Sequence, residues 1–187
     1  MPTSSSRKIV ILDRDGVINL DSDAFIKSPD EWVAIPGSLE AIARLTQAGY
    51  RIAVASNQSG IGRGLFDMTA LNAMHAKMHR QVTAVGGRID AVFFCPHTAE
   101  DHCECRKPKP GLLRQIAERF EIDPKDTPVV GDALRDLQAG AALGFPTHLV
   151  RTGKGEKTLA GGGLPDGTQV HDDLRAFAFD FLANAPA

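Results

Sequence analysis

The sequence predicts an open, mostly parallel, Rossmann-like α/β sheet with helices on both faces. Three observations predict it. Short aliphatic runs such as "KIVIL" and "RIAVAS" are continuously apolar, as strands covered on both faces are. Between them lie segments whose apolar residues recur at helical spacing, and strand and helix alternate about five times. Charged and hydroxyl residues gather directly after the strands, where open α/β sheets bind ligands.

Taken in order, "KIVIL" (8–12) is the first strand, and a polar stretch follows it to about Pro36. In "GSLEAIARLTQAG", Leu39, Ile42, Ala43 and Leu45 form a helical stripe that Gly49 ends. "RIAVAS" is the second strand. "DMTALNAMHAKMHRQVTAVG" is the second helix, with Asp67 as its N-cap, Met74 and Met78 on the core stripe, and His75 and His79 on a solvated face. "IDAVFFC" is the third strand. After a polar, proline-rich insert, "GLLRQIAERF", "TPVVGD", "ALRDLQAGAALG" and "THLV" alternate helix, strand, helix, strand. Beyond Arg151, a glycine-rich segment at about 152–168 reads as a flexible loop, and "HDDLRAFAFDFLANA" as a last helix. The leader "MPTSSSRK" lacks the apolar core of a secretory signal and reads as a short frayed terminus. With no internal repeat or linker, the length is that of one domain over 1–187.

Lys and Arg number 21 against 23 Asp and Glu, a formal charge of −2. No global positive field attracts nucleic acid or an anionic membrane, so an anionic ligand must be caught locally. No run of about 18 apolar residues predicts a membrane span. Cys95, Cys103 and Cys105 are an odd number in a tight cluster, which favours metal ligation in a reducing cytoplasm over disulfides. Without heptads or an apolar interface stripe, a monomer is expected.

The chemistry begins after the first strand. On extended backbone, Asp13 and Asp15 share a side while Arg14 points away. Two carboxylates so close need a cation between them or a retained proton. Asp132, after the fourth strand, is a third oxygen ligand, and such a set suits Mg²⁺ together with a substrate phosphate. Asp136 reads as a hydrogen-bonding residue of its own turn. Ser56 offers a hydroxyl, Lys107 a fixed charge and Arg106 a bidentate fork for a second anionic group. In "CPHTAEDHCEC", three thiolates and an imidazole (Cys95, His97, Cys103 and Cys105) make a closed structural Zn²⁺ site, with His102 a competing ligand.

The set Asp13-x-Asp15-Gly, Ser56-Asn57-Gln58, Lys107 and Gly131-Asp132 resembles the haloacid dehalogenase (HAD) superfamily of phosphotransferases. More narrowly, "ILDRDGVIN", "SNQSGIGRG", the cysteine loop and "CRKPKPG" resemble the D-glycero-D-manno-heptose 1,7-bisphosphate phosphatases of bacterial lipopolysaccharide-core synthesis. The resemblance implies a phosphoric monoester hydrolase in which Asp13 forms an aspartyl-phosphate and Asp15 is the general acid and base. It implies Mg²⁺ held by the Asp13 side chain, the Asp15 main-chain carbonyl and Asp132, with Ser56 and Lys107 on the phosphoryl oxygens. Substrate recognition falls to Arg106, to the entrance stretch Asp21, Ser22, Asp23 and Ala24, and to Asn57, Gln58, Ser59 and Arg63. Arg63, inside "GIGRG", is placed either to reach the distal phosphate of a bisphosphate, the reading preferred here, or to cap and solvate its own loop. The spacing between strands leaves room for a minimal cap only, and the zinc loop braces Arg106 and Lys107.

One departure is Ala133, where members of the family often carry lysine or another polar residue after the aspartate. Three rivals accompany this reading. A histidinol-phosphate phosphatase shares the nucleophile motif and zinc loop, but members of that group carry an acidic residue where Ser59 stands. A polynucleotide 3′-phosphatase fits poorly with a mildly acidic chain. A non-catalytic phosphosugar-binding or zinc-stabilised interaction protein would not need both Asp13 and Asp15.

Overall fold

The computed structural model describes residues 8–185, so the terminal stretch read as frayed lies largely outside the described residues. Strands β1 (Ile9–Leu12), β2 (Arg51–Asn57), β3 (Ala91–Cys95), β4 (Val129–Gly131), β5 (Thr147–Val150) and β6 (Gln169–His171) form one sheet. Its order is β3-β2-β1-β4-β5-β6, and every pairing is parallel. The helices are α1 (Ser38–Gln47), the single turn α2 (Ser59–Gly62), α3 (Met68–Ala84), α4 (Gly111–Phe120), α5 (Leu134–Ala141), α6 (Gly155–Gly161) and α7 (Leu174–Ala183).

Strand alternation divides the core into two layers. Val10, Leu12, Ile52 and Val54 face a layer completed by Ile42 and Leu45 of α1, Met74 and Met78 of α3, and Phe177 of α7. Ile9, Ile11, Ala53 and Val129 face the opposite layer with Leu112, Leu113 and Ile116 of α4 and Ala139 of α5. Both faces of the sheet are therefore covered, which is why its strands read as unbroken apolar runs. Residues 13–37 contribute isolated bridges from Asp15 to Asn19 and from Asn19 to Ala34, not a separate cap domain.

The helical stripes are where the periodicity places them, and Asp67 caps α3 by accepting from the Ala70 N–H at 2.9 Å. His75 corrects the solvated-face expectation. The buried arc of α3 runs through Leu71, Met74, His75, Met78 and Val82, whereas His79 is exposed. The region after β5 differs more. The segment expected as a flexible loop carries α6, and His171 ends β6 instead of opening a helix. A three-residue edge strand with two exposed positions has no periodic signature; pairing to β5 makes it a strand. The last helix starts at Leu174, where Asp173 accepts from the Ala176 N–H at 2.7 Å.

Strand order reverses at β1, between β2 and β4, opening a crevice at their carboxyl ends. The Asp13 N–H still bonds the Val130 carbonyl at 3.0 Å, so Asp13 and Asp132 stand side by side at its floor.

Candidate active site

Asp13, Asp132 and Asp136 each bring a carboxylate oxygen within 4.8 Å of the others, and all three are buried. Burial and the nearby Asp136 push Asp13 up to about 7. Burial, Asp136 and Asp13 push Asp132 up to about 8. Asp136 moves the other way: Lys107 and Arg135 outweigh its burial and hold it below the usual range. Lys107 Nζ lies 2.7 Å from Asp136 Oδ1 and 3.2 Å from Asp13 Oδ1, and donates to the Ala55 carbonyl at 2.6 Å. Lys107 and Arg135 together carry two positive charges against three carboxylates, so the cluster favours a further cation. Its all-oxygen donors fit Mg²⁺. The approach to Asp132 also requires glycine twice: Gly16 (φ +83°) and Gly153 (φ +57°) both sit where a Cβ would overlap its carboxylate.

Asp15 sits in a different setting, and Arg14 corrects the strand-alternation argument. The strand ends at Leu12, and the chain turns so that the Arg14 carbonyl accepts from the Ile18 N–H at 2.8 Å. Fully buried, Arg14 folds back on Asp15, with Nη2 2.9 Å and Nε 3.0 Å from Oδ1. Asn19 Nδ2 at 2.8 Å and Gln58 Nε2 at 3.1 Å donate to the same carboxylate. Behind it, Arg14 Nη1 donates to His75 Nε2 at 3.3 Å. Burial and Arg14 lower His75 to about 4, so the imidazole is neutral and free to accept.

A cavity of about 210 Å³ opens above these groups. Asp13, Asp15, Asp21, Ser22, Asp23, Asn57, Gln58, Ser59, Arg63, Arg106 and Lys107 line it. Ser56 lies beneath, buried, its Oγ accepting from Gln58 Nε2 at 2.7 Å. Ala24 is exposed on the entrance loop and is not part of the lining. Asn57 clamps the Lys107 backbone from both sides, donating to its carbonyl and accepting from its N–H, each at 3.0 Å.

Four further lining residues escaped the sequence reading: Phe25, Ile26, Arg135 and Lys154. Lys154 follows β5, at one of the strand ends where such sheets bind ligands, although the glycines on either side of it read as a loose loop. Its N–H donates to Asp132 Oδ2 at 2.8 Å, and its Nζ lies 3.3 Å from Asp21 and 3.6 Å from Asp23. Thr152 adds a 2.7 Å bond to the Gly16 carbonyl, tying this segment to the crevice.

The cysteine insert gathers a second cluster. Cys95 Sγ lies 3.0 Å from Cys105 Sγ and 3.6 Å from Cys103 Sγ, while His97 Nδ1 lies 3.5 Å from Cys95 and 3.3 Å from Cys105. The four can hold a metal ion, and thiolate and imidazole donors in fourfold array suit Zn²⁺. His102 is outside the cluster; it closes the turn Ala99–Asp101 with φ 48°. Arg106 Nη1 donates to the His97 carbonyl at 3.3 Å, joining the insert to the cavity wall.

Comparison with known proteins places this geometry. A HAD-hydrolase-like family model matches residues 104–177. The D-glycero-β-D-manno-heptose-1,7-bisphosphate 7-phosphatase of Bordetella bronchiseptica is 60% identical over 178 residues, 95% of this chain and 99% of that protein. Its Pseudomonas aeruginosa counterpart is 54% identical over 177 residues, again 95% and 99%. The crystal structure of the B. bronchiseptica D,D-heptose 1,7-bisphosphate phosphatase, complexed with magnesium and phosphate, superposes with a TM-score of 0.94, covering 95% of this chain and 99% of that one. By these relationships the chain belongs to the heptose 1,7-bisphosphate 7-phosphatase family of HAD-like hydrolases.

Proposed function

We propose that this protein is a Mg²⁺-dependent phosphatase that removes the C7 phosphate of D-glycero-β-D-manno-heptose 1,7-bisphosphate, supplying the ADP-heptose branch of lipopolysaccharide-core synthesis. The observation that carries it is the buried cluster of Asp13, Asp132 and Asp136 around Lys107, at the floor of a cavity lined by arginines. The names of the relatives support the substrate and its β anomer.

In this reading Asp13 attacks phosphorus, the bond to the C7 oxygen breaks, and Asp15 gives that oxygen its proton. Asp15 then takes a proton from water, which attacks the aspartyl-phosphate, releases phosphate and restores Asp13. Lys107 and Ser56 hold the phosphoryl oxygens, and the Lys107 ammonium, paired with both Asp13 and Asp136, offsets the repulsion between them. Asp13, the Asp15 main-chain carbonyl and Asp132 would hold Mg²⁺, which would offset the negative charge of the transferred group. Asp21, Ser22, Asp23 and Ala24 frame the entrance; Asn57, Gln58, Ser59, Arg63 and Arg106 bind the sugar phosphate. Cys95, His97, Cys103 and Cys105 would hold Zn²⁺, which would brace the insert that carries Arg106 and Lys107. The enzyme acts as a single-domain cytoplasmic monomer; among the described residues no helix is long and apolar enough to cross a membrane.

Phosphate release with Mg²⁺ at neutral pH tests the reading on both C1 anomers of the bisphosphate and on histidinol phosphate. The β anomer is expected to exceed histidinol phosphate in kcat/KM by about a hundredfold, about 2.7 kcal/mol of transition-state discrimination. Preference for histidinol phosphate would reassign the substrate.

A further inference from the structure

The basic groups on the cavity wall differ in how far they are already committed. Lys107 is bound by Asp13, Asp136 and the Ala55 carbonyl. Lys154 lies between Asp21 and Asp23, and Arg106 spends one donor on the His97 carbonyl. Arg63 is exposed at the rim, its guanidinium 5.9 Å from the centre of the Phe25 ring. Arg135, in the first turn of α5, is half-buried and makes no hydrogen bond or ion pair among the described residues; its Nε is buried without a partner.

That isolation is not for want of carboxylates. Asp136, Asp13, Asp132 and Asp21 all act on the guanidinium and, against its burial, favour its charged form. Each is bonded elsewhere. Asp136 takes Lys107 and the Ala133 N–H, Asp13 takes Lys107 and the Arg14 N–H, Asp132 takes the Lys154 N–H, and Asp21 takes Lys154 and the Ser22 N–H. The terminal guanidinium nitrogens of Arg135 have no acceptor among the described residues, and on a cavity wall they are free to take one from an anion that enters. The transferred phosphoryl group already has Lys107 and Ser56. Arg135 lines the same cavity as Asp13 at the floor and as Asp21, Ser22 and Asp23 of the entrance stretch, so a substrate that fills the cavity from floor to entrance passes its guanidinium. Ala133 offers no cation on the same turn.

We infer that Arg135 binds the second, non-transferred phosphate of the substrate, and so sets the preference for a bisphosphate over a monophosphate. This rests on the function proposed above. A planar fork suits such a group, because two parallel N–H···O bonds fix its orientation.

The test compares kcat/KM for the heptose 1,7-bisphosphate and for the heptose 7-phosphate in wild type, R135Q and R135K. Melting temperatures confirm that each variant is folded. R135Q is expected to lower the bisphosphate value about a hundredfold and the monophosphate value only several-fold, chiefly through KM, with R135K between wild type and R135Q. A wild-type preference for the bisphosphate that R135Q leaves intact overturns the assignment alone, as does an equal loss on both substrates. Wild-type enzyme indifferent to the second phosphate overturns the functional reading, and this inference with it.

Discussion

Asp13 is buried beside two other carboxylates, and at this residue reactivity and stability are in conflict. The same crowding that pushes it up to about 7 makes it a group the fold would hold more comfortably uncharged. Asp13→Asn keeps the shape and removes the nucleophile. It is expected to lower kcat by about 10⁴-fold or more while leaving the melting temperature and zinc content at wild-type values or above. Measurable turnover near the wild-type rate would rule out the covalent route. Asp15 shows what sequence reasoning reaches at this scale. Its place beside Asp13 was legible, but its three side-chain donors were not, because Arg14, Asn19 and Gln58 converge only once the chain has turned.

The decisive element is the insert between β3 and α4, which has little regular structure beyond the turn Ala99–Asp101. Cys95 ends a strand, Cys105 immediately precedes Arg106 and Lys107, and the cluster between them shortens the insert into a fixed arm. Removing zinc by chelation, or substituting Cys105→Ser, is expected to lower the melting temperature by about 5 °C or more and to raise KM more than it lowers kcat. A zinc-free preparation with unchanged kinetics and melting temperature would remove the bracing role. The four residues of this cluster were legible because they lie within eleven positions of one another and their spacing is local. The segment after β5 was not. Its glycines signalled looseness, whereas Thr152, Gly153 and Lys154 pack against Gly16 and Asp132, residues more than twenty positions away.

Across the whole molecule, the far edge of the sheet carries a polar chain of its own. His148 Nδ1 and His171 Nε2 are 3.1 Å apart, His171 Nδ1 is 3.1 Å from Asp180 Oδ2, and Phe177 packs on both imidazoles. Burial and His171 lower His148 to about 4. The unfolded chain binds that proton near 6.5, so between about 6.5 and about 4 the unfolded state holds more protons and stability falls as the pH drops. Denaturant unfolding at pH 7.5 and 5.0 is expected to show a loss of about 2 kcal/mol from His148, with His75 adding to it for the same reason. His148→Gln removes its share of the difference; an unchanged pH dependence in that variant would mean His148 is not held neutral. The sequence by itself determined the α/β class, the order of its main strands and helices, and which carboxylates and which cysteines and histidine are the candidates that the fold gathers. These follow from periodicities of two and 3.6 and from the placement of ligands at strand ends, all properties of neighbouring residues. Only the tertiary structure decided that His75 is buried, that Arg14 pins Asp15, and that Arg135 lines the cavity without a partner among the described residues. Those outcomes depend on which groups from distant segments occupy one another's hydrogen bonds, and no local pattern encodes that competition.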